Sequence, residues 1–306
     1  MDTRNSFQSE SLRADRQEGL VIAHQGRSLA VETSNGEIIL CHPRRKLQTA
    51  AVGDRVVWLK SAENLGCVVE IQTRKSLLTR PAREGKIRPV AANLDQILIV
   101  FASEPRCDFL LLDQYLVICE NTGFRPLLIC NKGDLASQSE QMDQALELYQ
   151  SIGYTILGVS AKSGFGLETL KLELNGHTSL LAGQSGVGKS TLTNVLIPDR
   201  NQRTAQLSQG TLRGKHTTTT STLFHLPGGG DLIDSPGVAI FGLAETNEQD
   251  LAYGYREFQP FLGHCRFKDC RHINDAGCAI RLAVEKGPIS PQRYGRFIRL
   301  REKLPQ

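Results

Sequence analysis

Two nucleotide-binding motifs stand in this chain in an order that limits its fold more than any other feature. Asn131-Lys132-Gly133-Asp134, a tetrapeptide suited to reading a guanine edge, comes first. The phosphate loop Gly183-Gln184-Ser185-Gly186-Val187-Gly188-Lys189-Ser190 follows about fifty residues later. In the usual guanine-nucleotide-binding domain the phosphate loop opens the sheet and the base-reading motif closes it. The order here requires the same α/β fold to be cut and rejoined at another loop, a circular permutation.

The phosphate loop matches G-x-x-x-x-G-K-S in full. It follows the apolar strand Ser179-Leu180-Leu181-Ala182 and precedes a helical stretch over 191–197, the context such a loop needs. Its glycines let backbone N–H groups converge on phosphates, Lys189 neutralises charge at the β and γ positions, and the Ser190 hydroxyl suits Mg²⁺. Thr191, next after the loop, joins the nucleotide-contacting set. Asn131-Lys132-Gly133-Asp134 closes the strand Pro126-Leu127-Leu128-Ile129-Cys130. Asp134 can accept from both N1–H and the N2 amino group of guanine, donors that adenine lacks, so the motif selects GTP. Asn131 bonds the base edge and braces the loop, and the Lys132 stem packs along the ring. Alone the tetrapeptide is a common turn. Ser160-Ala161-Lys162 after a further strand makes it specific, because the Ala161 N–H can meet guanine O6.

Asp234-Ser235-Pro236-Gly237 gives D-x-x-G after the strand Asp231-Leu232-Ile233 and is expected to form the second switch. Asp234 would hold Mg²⁺ through water and the Gly237 N–H would sense the γ-phosphate. Between the two motifs lies Gly214-Lys215-His216-Thr217-Thr218-Thr219-Thr220. One of its threonines would complete the Mg²⁺ shell; Thr219 is the first choice, with 217–220 left open. Ras-like enzymes place a water-orienting glutamine after D-x-x-G. Val238 holds that position here, which leaves His216 as the candidate for the task.

Cys265, Cys270, His272 and Cys278 form C-x₄-C-x-H-x₅-C. Three thiolates and one imidazole are a closed tetrahedral set of the structural zinc type, with His264 a weaker alternative ligand. Basic neighbours Arg266, Lys268 and Arg271 suit a module at a phosphate backbone. Cys41, Cys67, Cys107, Cys119 and Cys130 are scattered, mostly in apolar runs, and read as small core residues of a reducing compartment. Net charge is +5 over 1–89, −7 over 90–263 and +6 over 264–306. A polyanion would therefore meet the two ends rather than the middle.

The chain divides accordingly into a polar, disordered tail at 1–17, an OB-type β-barrel at 18–75, a circularly permuted α/β GTPase domain at 90–245 and a mainly α zinc-binding module at 246–306. Short apolar runs at 20–23, 29–31, 38–40, 55–58 and 66–71 supply about five barrel strands. Residues 74–90 are basic and contain Pro81 and Pro89, so they read as a linker without regular structure. Strands at 96–101, 125–130, 155–159, 178–182 and 232–233 alternate with helices at 109–121 and 140–152, the pattern of a parallel sheet. A basic amphipathic helix is expected near 291–300. No apolar run approaches the roughly 18 residues of a membrane span.

Taken in order along nearly the whole chain, these residues resemble the bacterial ribosome small-subunit-dependent GTPase A family, RsgA. Ala91-Ala92-Asn93-Leu94-Asp95-Gln96 also looks like that family's entry into its GTPase domain. The resemblance implies a cytoplasmic, monomeric GTP hydrolase acting late in 30S subunit assembly, stimulated by the subunit. Its implied partners are GTP and GDP, 16S rRNA at the barrel and zinc module, one structural Zn²⁺, and Mg²⁺ with the nucleotide. It also implies that His216 is the family's catalytic histidine; Lys189 joins the catalytic set through its charge at the β and γ positions. Val238-Ala239-Ile240-Phe241 departs from relatives that often carry a charged pair there. Two other classes compete: a GTP-gated RNA-binding protein whose hydrolysis is incidental, and a metabolic phosphate-loop kinase, which Asn131–Asp134 opposes.

Overall fold

Alternation of apolar and polar residues curls the first strands into a closed barrel. We describe the chain from a computed structural model, which covers residues 16–81, 87–133, 140–200, 221–235, 243 and 246–304. The chain forms two compact units, Met1–Leu94 with Asn175–Thr178 and Leu196–Gly237, and Asp95–Leu174 with Ser179–Val195 and Val238–Gln306.

In the first unit, β1 (Arg16–Gln25), β2 (Ser28–Thr33), β3 (Ile38–Pro43), β4 (Arg55–Ala62) and β5 (Leu65–Ile71) are the five expected barrel strands. They run in the order β1-β2-β3-β5-β4, and β4 returns to β1 to close the ring. Closure removes the exposed edges that an open sheet leaves. The inward positions, among them Val21, Leu29, Val31, Ile39, Val56, Trp58 and Val68, make the core. Trp58 fits because Gly66 faces it: a Cβ there would come within 2.6 Å of the indole.

The basic stretch after the barrel is not an irregular linker. Its residues form β6 (Leu77–Pro81) and β7 (Ile87–Ala92), an antiparallel pair. The prolines were the ground for expecting no regular element. Pro81 is the last residue of β6, and Pro89 lies at a register shift opposite Leu78/Thr79, places where strands tolerate a missing N–H. Arg74, at its start, is held by a bidentate pair to the buried Asp54, with both N···O distances 2.7 Å.

A second hairpin completes this unit. β12 (Thr222–His225) and β13 (Asp231–Asp234) are antiparallel, with Thr222 opposite Asp234 and His225 opposite Asp231. β12 also pairs with β1, Ala23 opposite Thr222. The sequence anticipates a strand at 232–233, which β13 is, but not its antiparallel partner β12. A four-residue partner between a threonine-rich loop and a glycine turn carries too little periodicity to be read.

In the second unit, β8 (Gln96–Phe101), β9 (Arg125–Cys130), β10 (Thr155–Gly158) and β11 (Thr178–Ala182) run parallel in the order β10-β9-β8-β11. Every residue of β8 is buried, as a central parallel strand requires. Helices α1 (Phe109–Thr122), α2 (Glu140–Ser151), α3 (Leu167–Leu174) and α4 (Lys189–Leu196) intervene or follow. The Asp108 side chain caps α1 by accepting from the Leu110 and Leu111 N–H groups, and Gly123 ends it at φ +75°. After them come α5 (Glu248–Tyr253), a 3₁₀ turn (Arg256–Phe261), α6 (Ala279–Lys286) and α7 (Pro291–Arg301).

Helix α7 is the expected basic helix, but its arginines are not all offered to a polyanion. Arg293 is fully buried, its guanidinium paired with Asp113 of α1 and Glu257 of the 3₁₀ turn. Arg296 also pairs with Asp113, and Arg301 with Glu248 at 2.5 Å. Part of the +6 counted over 264–306 is thus neutralised internally. Among the described residues no helix is long and apolar enough to cross a membrane.

Candidate nucleotide site and metal centre

The phosphate loop leaves the end of β11, where only glycine fits its first position. Gly183 has φ +137°, and a Cβ there would come 2.1 Å from the Val100 carbonyl oxygen. Gly188 has φ +93°, and its Cβ would strike Asn131 Nδ2 at 2.4 Å. The loop therefore packs directly on the base-reading motif. Asn131 is 3% exposed and joins three segments. Its backbone N–H donates to Phe101 at 2.8 Å, its Nδ2 donates to the Val187 carbonyl at 2.8 Å, and its Oδ1 accepts from the Ala161 N–H at 3.3 Å. Motifs separated in sequence are brought together by this one side chain.

The other candidates sit around this junction. Lys189, first in α4, donates from Nζ to the carbonyls of Gly183 and Gln184, each at 2.7 Å. Ser185, Gly186, Ser190 and Thr191 are exposed, while Val187 is buried beneath the loop. Lys132 has φ +65° and donates to the Glu104 carbonyl at 2.7 Å. Gly133 N–H donates to the Val159 carbonyl at 3.0 Å. Buried Ser160 accepts at Oγ from the Ser163 N–H at 3.0 Å, shaping the loop that carries Ala161 and the exposed Lys162. Asp234 ends β13 and pairs with Arg200. Asp134, His216, the threonines at 217–220 including Thr219, Gly237 and Val238 lie outside the described residues.

Contacts of three residues escape the sequence reading. Gln184 accepts from the Asp108 N–H at 2.8 Å and donates to the Arg106 carbonyl at 3.0 Å, fastening the phosphate loop to the start of α1. Arg200 lies just past the phosphate-loop helix but belongs to no spacing motif. Glu104 contributes only its carbonyl, which no side-chain pattern can announce.

In the C-terminal segment, Cys265, Cys270, His272 and Cys278 converge, their ligand atoms all within 4.8 Å of one another. His272 Nδ1 lies 3.5 Å from Cys265 Sγ and 3.6 Å from Cys278 Sγ. His272 adopts φ +61°, and its carbonyl accepts from the Tyr294 hydroxyl at 2.7 Å, so α7 holds this ligand in place. Cys278 caps α6, its sulfur accepting from the Arg281 N–H. Loss of solvent pushes the Cys270 thiol up to about 12 and favours neutral His272. A cation is what lets such crowded thiols ionise, so the cluster is a candidate structural metal site. Four of the other cysteines, Cys41, Cys107, Cys119 and Cys130, are buried, and Cys67 is half-buried.

Comparison with known proteins agrees with this geometry. The RsgA GTPase family model matches residues 71–244, more than half of the chain. The chain belongs to the RsgA GTPase family. The small ribosomal subunit biogenesis GTPase RsgA of Pseudomonas aeruginosa is 45% identical over 292 residues, 95% of this chain and 86% of that protein. Its counterpart in Azotobacter vinelandii is 46% identical, with 95% and 86% covered. Among solved structures, YjeQ from Thermotoga maritima superposes with a TM-score of 0.75 at 32% identity, covering 94% of this chain and 98% of that one. YloQ, described as a circularly permuted GTPase, gives 0.71 at 26% identity, with 95% and 97% covered. Membership of the RsgA GTPase family makes the chain a GTP hydrolase. A metabolic kinase is thereby set aside.

Proposed function

We propose that this chain hydrolyses GTP to GDP and phosphate during late maturation of the small ribosomal subunit, stimulated by that subunit, in the cytoplasm and as a monomer. It would contact 16S rRNA through the barrel at 18–75 and the metal module at 246–306, on either side of a permuted GTPase domain at 90–245 and behind a tail at 1–17. The observation that carries this reading is the Asn131 junction, which joins a phosphate loop to a guanine-reading motif in a chain that also holds a barrel and a Cys₃His cluster. The relatives' role in small-subunit biogenesis supplies the biological setting.

In this reading the N–H groups of 183–190 and Lys189 cradle the phosphates. Asp134 takes the guanine donors, and Asn131 keeps the two loops in register. Lys132, Ala161 and Lys162 border the base. The Ser190 hydroxyl, the Asp234 carboxylate and Thr219 are hard oxygen donors of the kind Mg²⁺ takes, and the ion would offset charge on the phosphates. His216 orients the attacking water in place of the side chain that Val238 lacks, and the Gly237 N–H senses the γ-phosphate. Bonds of about 2.3 Å to sulfur and about 2.05 Å to nitrogen at a tetrahedral angle span about 3.6 Å, which favours Zn²⁺ in the cluster. The observed 3.5 and 3.6 Å separations agree with that edge and support Nδ1 as the ligating atom of His272.

The test is turnover of GTP and ATP with and without purified 30S subunits, for the wild-type chain and for His216→Ala. GTP-selective turnover that the subunit raises, and that His216→Ala lowers by about 10²–10⁴-fold while nucleotide and subunit binding persist, is expected if the histidine is a general base. Turnover indifferent to the subunit leaves the GTP-gated binding protein as the better account.

A further inference from the structure

We infer that His225 is a positioning residue for the nucleotide-sensing strands, clamping the β12–β13 hairpin to barrel strand β2 by donating to Asp231 and Glu32 at once. The inference deepens the proposed function, because it rests on reading the hairpin's open end as the junction with the two switches.

The geometry has two parts. His225 Nδ1 lies 2.6 Å from Asp231 Oδ1, across the hairpin, and Nε2 lies 2.5 Å from Glu32 Oε2 on β2. An imidazole donates from both nitrogens only when it is protonated. Hydrogen bonds to Asp231 and then Glu32 hold its pKa at about 10, so the bridge is a cation between two carboxylates at neutral pH. Its side chain is 46% exposed. A pair so open to solvent adds little to stability, whereas its direction still constrains the strands it joins.

The second part is where the hairpin leads. β13 ends on Asp234, the D-x-x-G carboxylate, and β12 begins one residue after Ser221. The Ser221 and Ser235 hydroxyls lie 2.5 Å apart across that end. The backbone pairing of Ala23 with Thr222 attaches the same end to β1. His225 attaches the turn end, three residues and about 10 Å away along the strand. On the barrel side the hairpin is held at one end by the Ala23–Thr222 pairing and at the other by His225, and the two together set its direction relative to the barrel. With both attachments a displacement of the barrel shifts Asp234, and a displacement of Asp234 shifts the barrel. The Asp231 N–H also donates to the His177 carbonyl at 2.9 Å, a further hold on the turn end.

The test uses full-length His225→Ala, Glu32→Gln and His225→Arg, whose guanidinium can donate to two carboxylates. Amide hydrogen exchange is followed over 221–235 and over β1–β2 with GDP and with a non-hydrolysable GTP analogue. GTP turnover is measured with and without 30S subunits. In the wild type, exchange in β1–β2 should differ between the two nucleotides. His225→Ala and Glu32→Gln should abolish that difference and speed exchange over 221–235 on the order of tenfold, with melting temperature and unstimulated turnover retained. His225→Arg should restore the difference, which a merely structural loss would not predict. Subunit stimulation should fall about three- to tenfold in the first two variants and recover in the third. A barrel that exchanges alike with both nucleotides in the wild type, or a difference that survives in His225→Ala, overturns the inference. If the wild type shows the nucleotide-dependent difference but no response to the subunit, the proposed function fails and the clamp stands.

Discussion

The barrel closes around Trp58, Val31, Leu29 and Val56, apolar side chains with 2% exposure or less, whereas the C-terminal segment closes around Arg293, which has none. Arg293 gives its donors to Asp113 and Glu257 and stacks over Tyr255, its guanidinium 4.4 Å from the ring centroid. Burial works against that charge, but Asp113 and Glu257 hold its pKa well above the ordinary arginine value. Phe258 and Phe297 fill the space around Tyr255, and the Cys₃His cluster is tied to the same helix through Tyr294. The barrel places its buried ion pair, Arg74–Asp54, beside the core rather than at its centre. Apolar burial is non-directional and tolerates swaps that conserve volume. Matched buried charges and thiolates are directional, and removing one partner strands the rest. One end of the chain should therefore yield gradually to substitution and the other abruptly.

The largest expected break is at the metal. Structural zinc in small modules carries an apparent binding free energy of about 10–16 kcal/mol at neutral pH, which is also folding free energy. Cys270→Ser should lose the metal, about one ion per chain, and with it binding to the small subunit, while GTP affinity stays near wild type. Metal analysis of the purified variant with titrations of nucleotide and of 30S subunits checks each part. Each ligand must shed its proton to bind, and burial raises the Cys270 thiol, so metal affinity in the wild type should fall as pH is lowered. Full subunit affinity in a metal-free protein would remove the metal from the comparison.

Next comes the ion-pair network. Arg293→Ala leaves Asp113 and Glu257 without their main cation and should cost about 3–5 kcal/mol in denaturant unfolding. Adding Asp113→Leu to Arg293→Met should cost less than the two single changes together, because the second removes the charge that the first strands. Additive costs would show that the two residues do not act as a unit and that the contrast with the barrel is overstated.

What could be read in advance follows the same division. The five barrel strands were legible because one buried face and one wet face impose a period of two. The parallel strands were legible as continuous apolar runs, and the phosphate loop and Cys₃His cluster because phosphate and metal chemistry fix residue types at fixed spacings. The inward turn of Arg293 and Arg296 was not legible. Their partner Asp113 lies 180 residues away from Arg293, and a basic helix looks alike whether it faces solvent or a buried carboxylate. β6 and β7 were hidden by prolines that fall at an end and a register shift. His225 and Arg200 were hidden because each finds its partners only through the fold.

A cavity in the barrel should act locally. Leu29→Ala removes buried methyl groups from a site 2% exposed and should cost about 2–5 kcal/mol, by lost transfer free energy and an incompletely collapsed cavity. Isothermal titration should find GTP affinity unchanged, since the nucleotide candidates of 131–162 and 183–190 belong to the other compact unit. A matching loss of GTP affinity would mean that barrel packing and nucleotide site are one cooperative structure.

The smallest effect sharpens the comparison from the other side. Arg16 and Glu70 form an ion pair on the barrel, with side chains 42% and 53% exposed. The pair matches the Arg293 network in chemistry and differs from it in solvent. In water the Coulomb attraction is screened, and ordering two long side chains offsets much of what remains, so such pairs are worth about 0–1 kcal/mol. Glu70→Gln keeps the shape and a hydrogen-bond acceptor while removing the charge. Its unfolding free energy should lie within about 0.5 kcal/mol of wild type at low ionic strength, and added salt should erase the difference, because counterions screen exposed charges over roughly 10 Å at 0.1 M. A loss of several kcal/mol that resisted salt would show that the barrel also depends on its charges, and the distinction between the two ends would then lie in the metal alone.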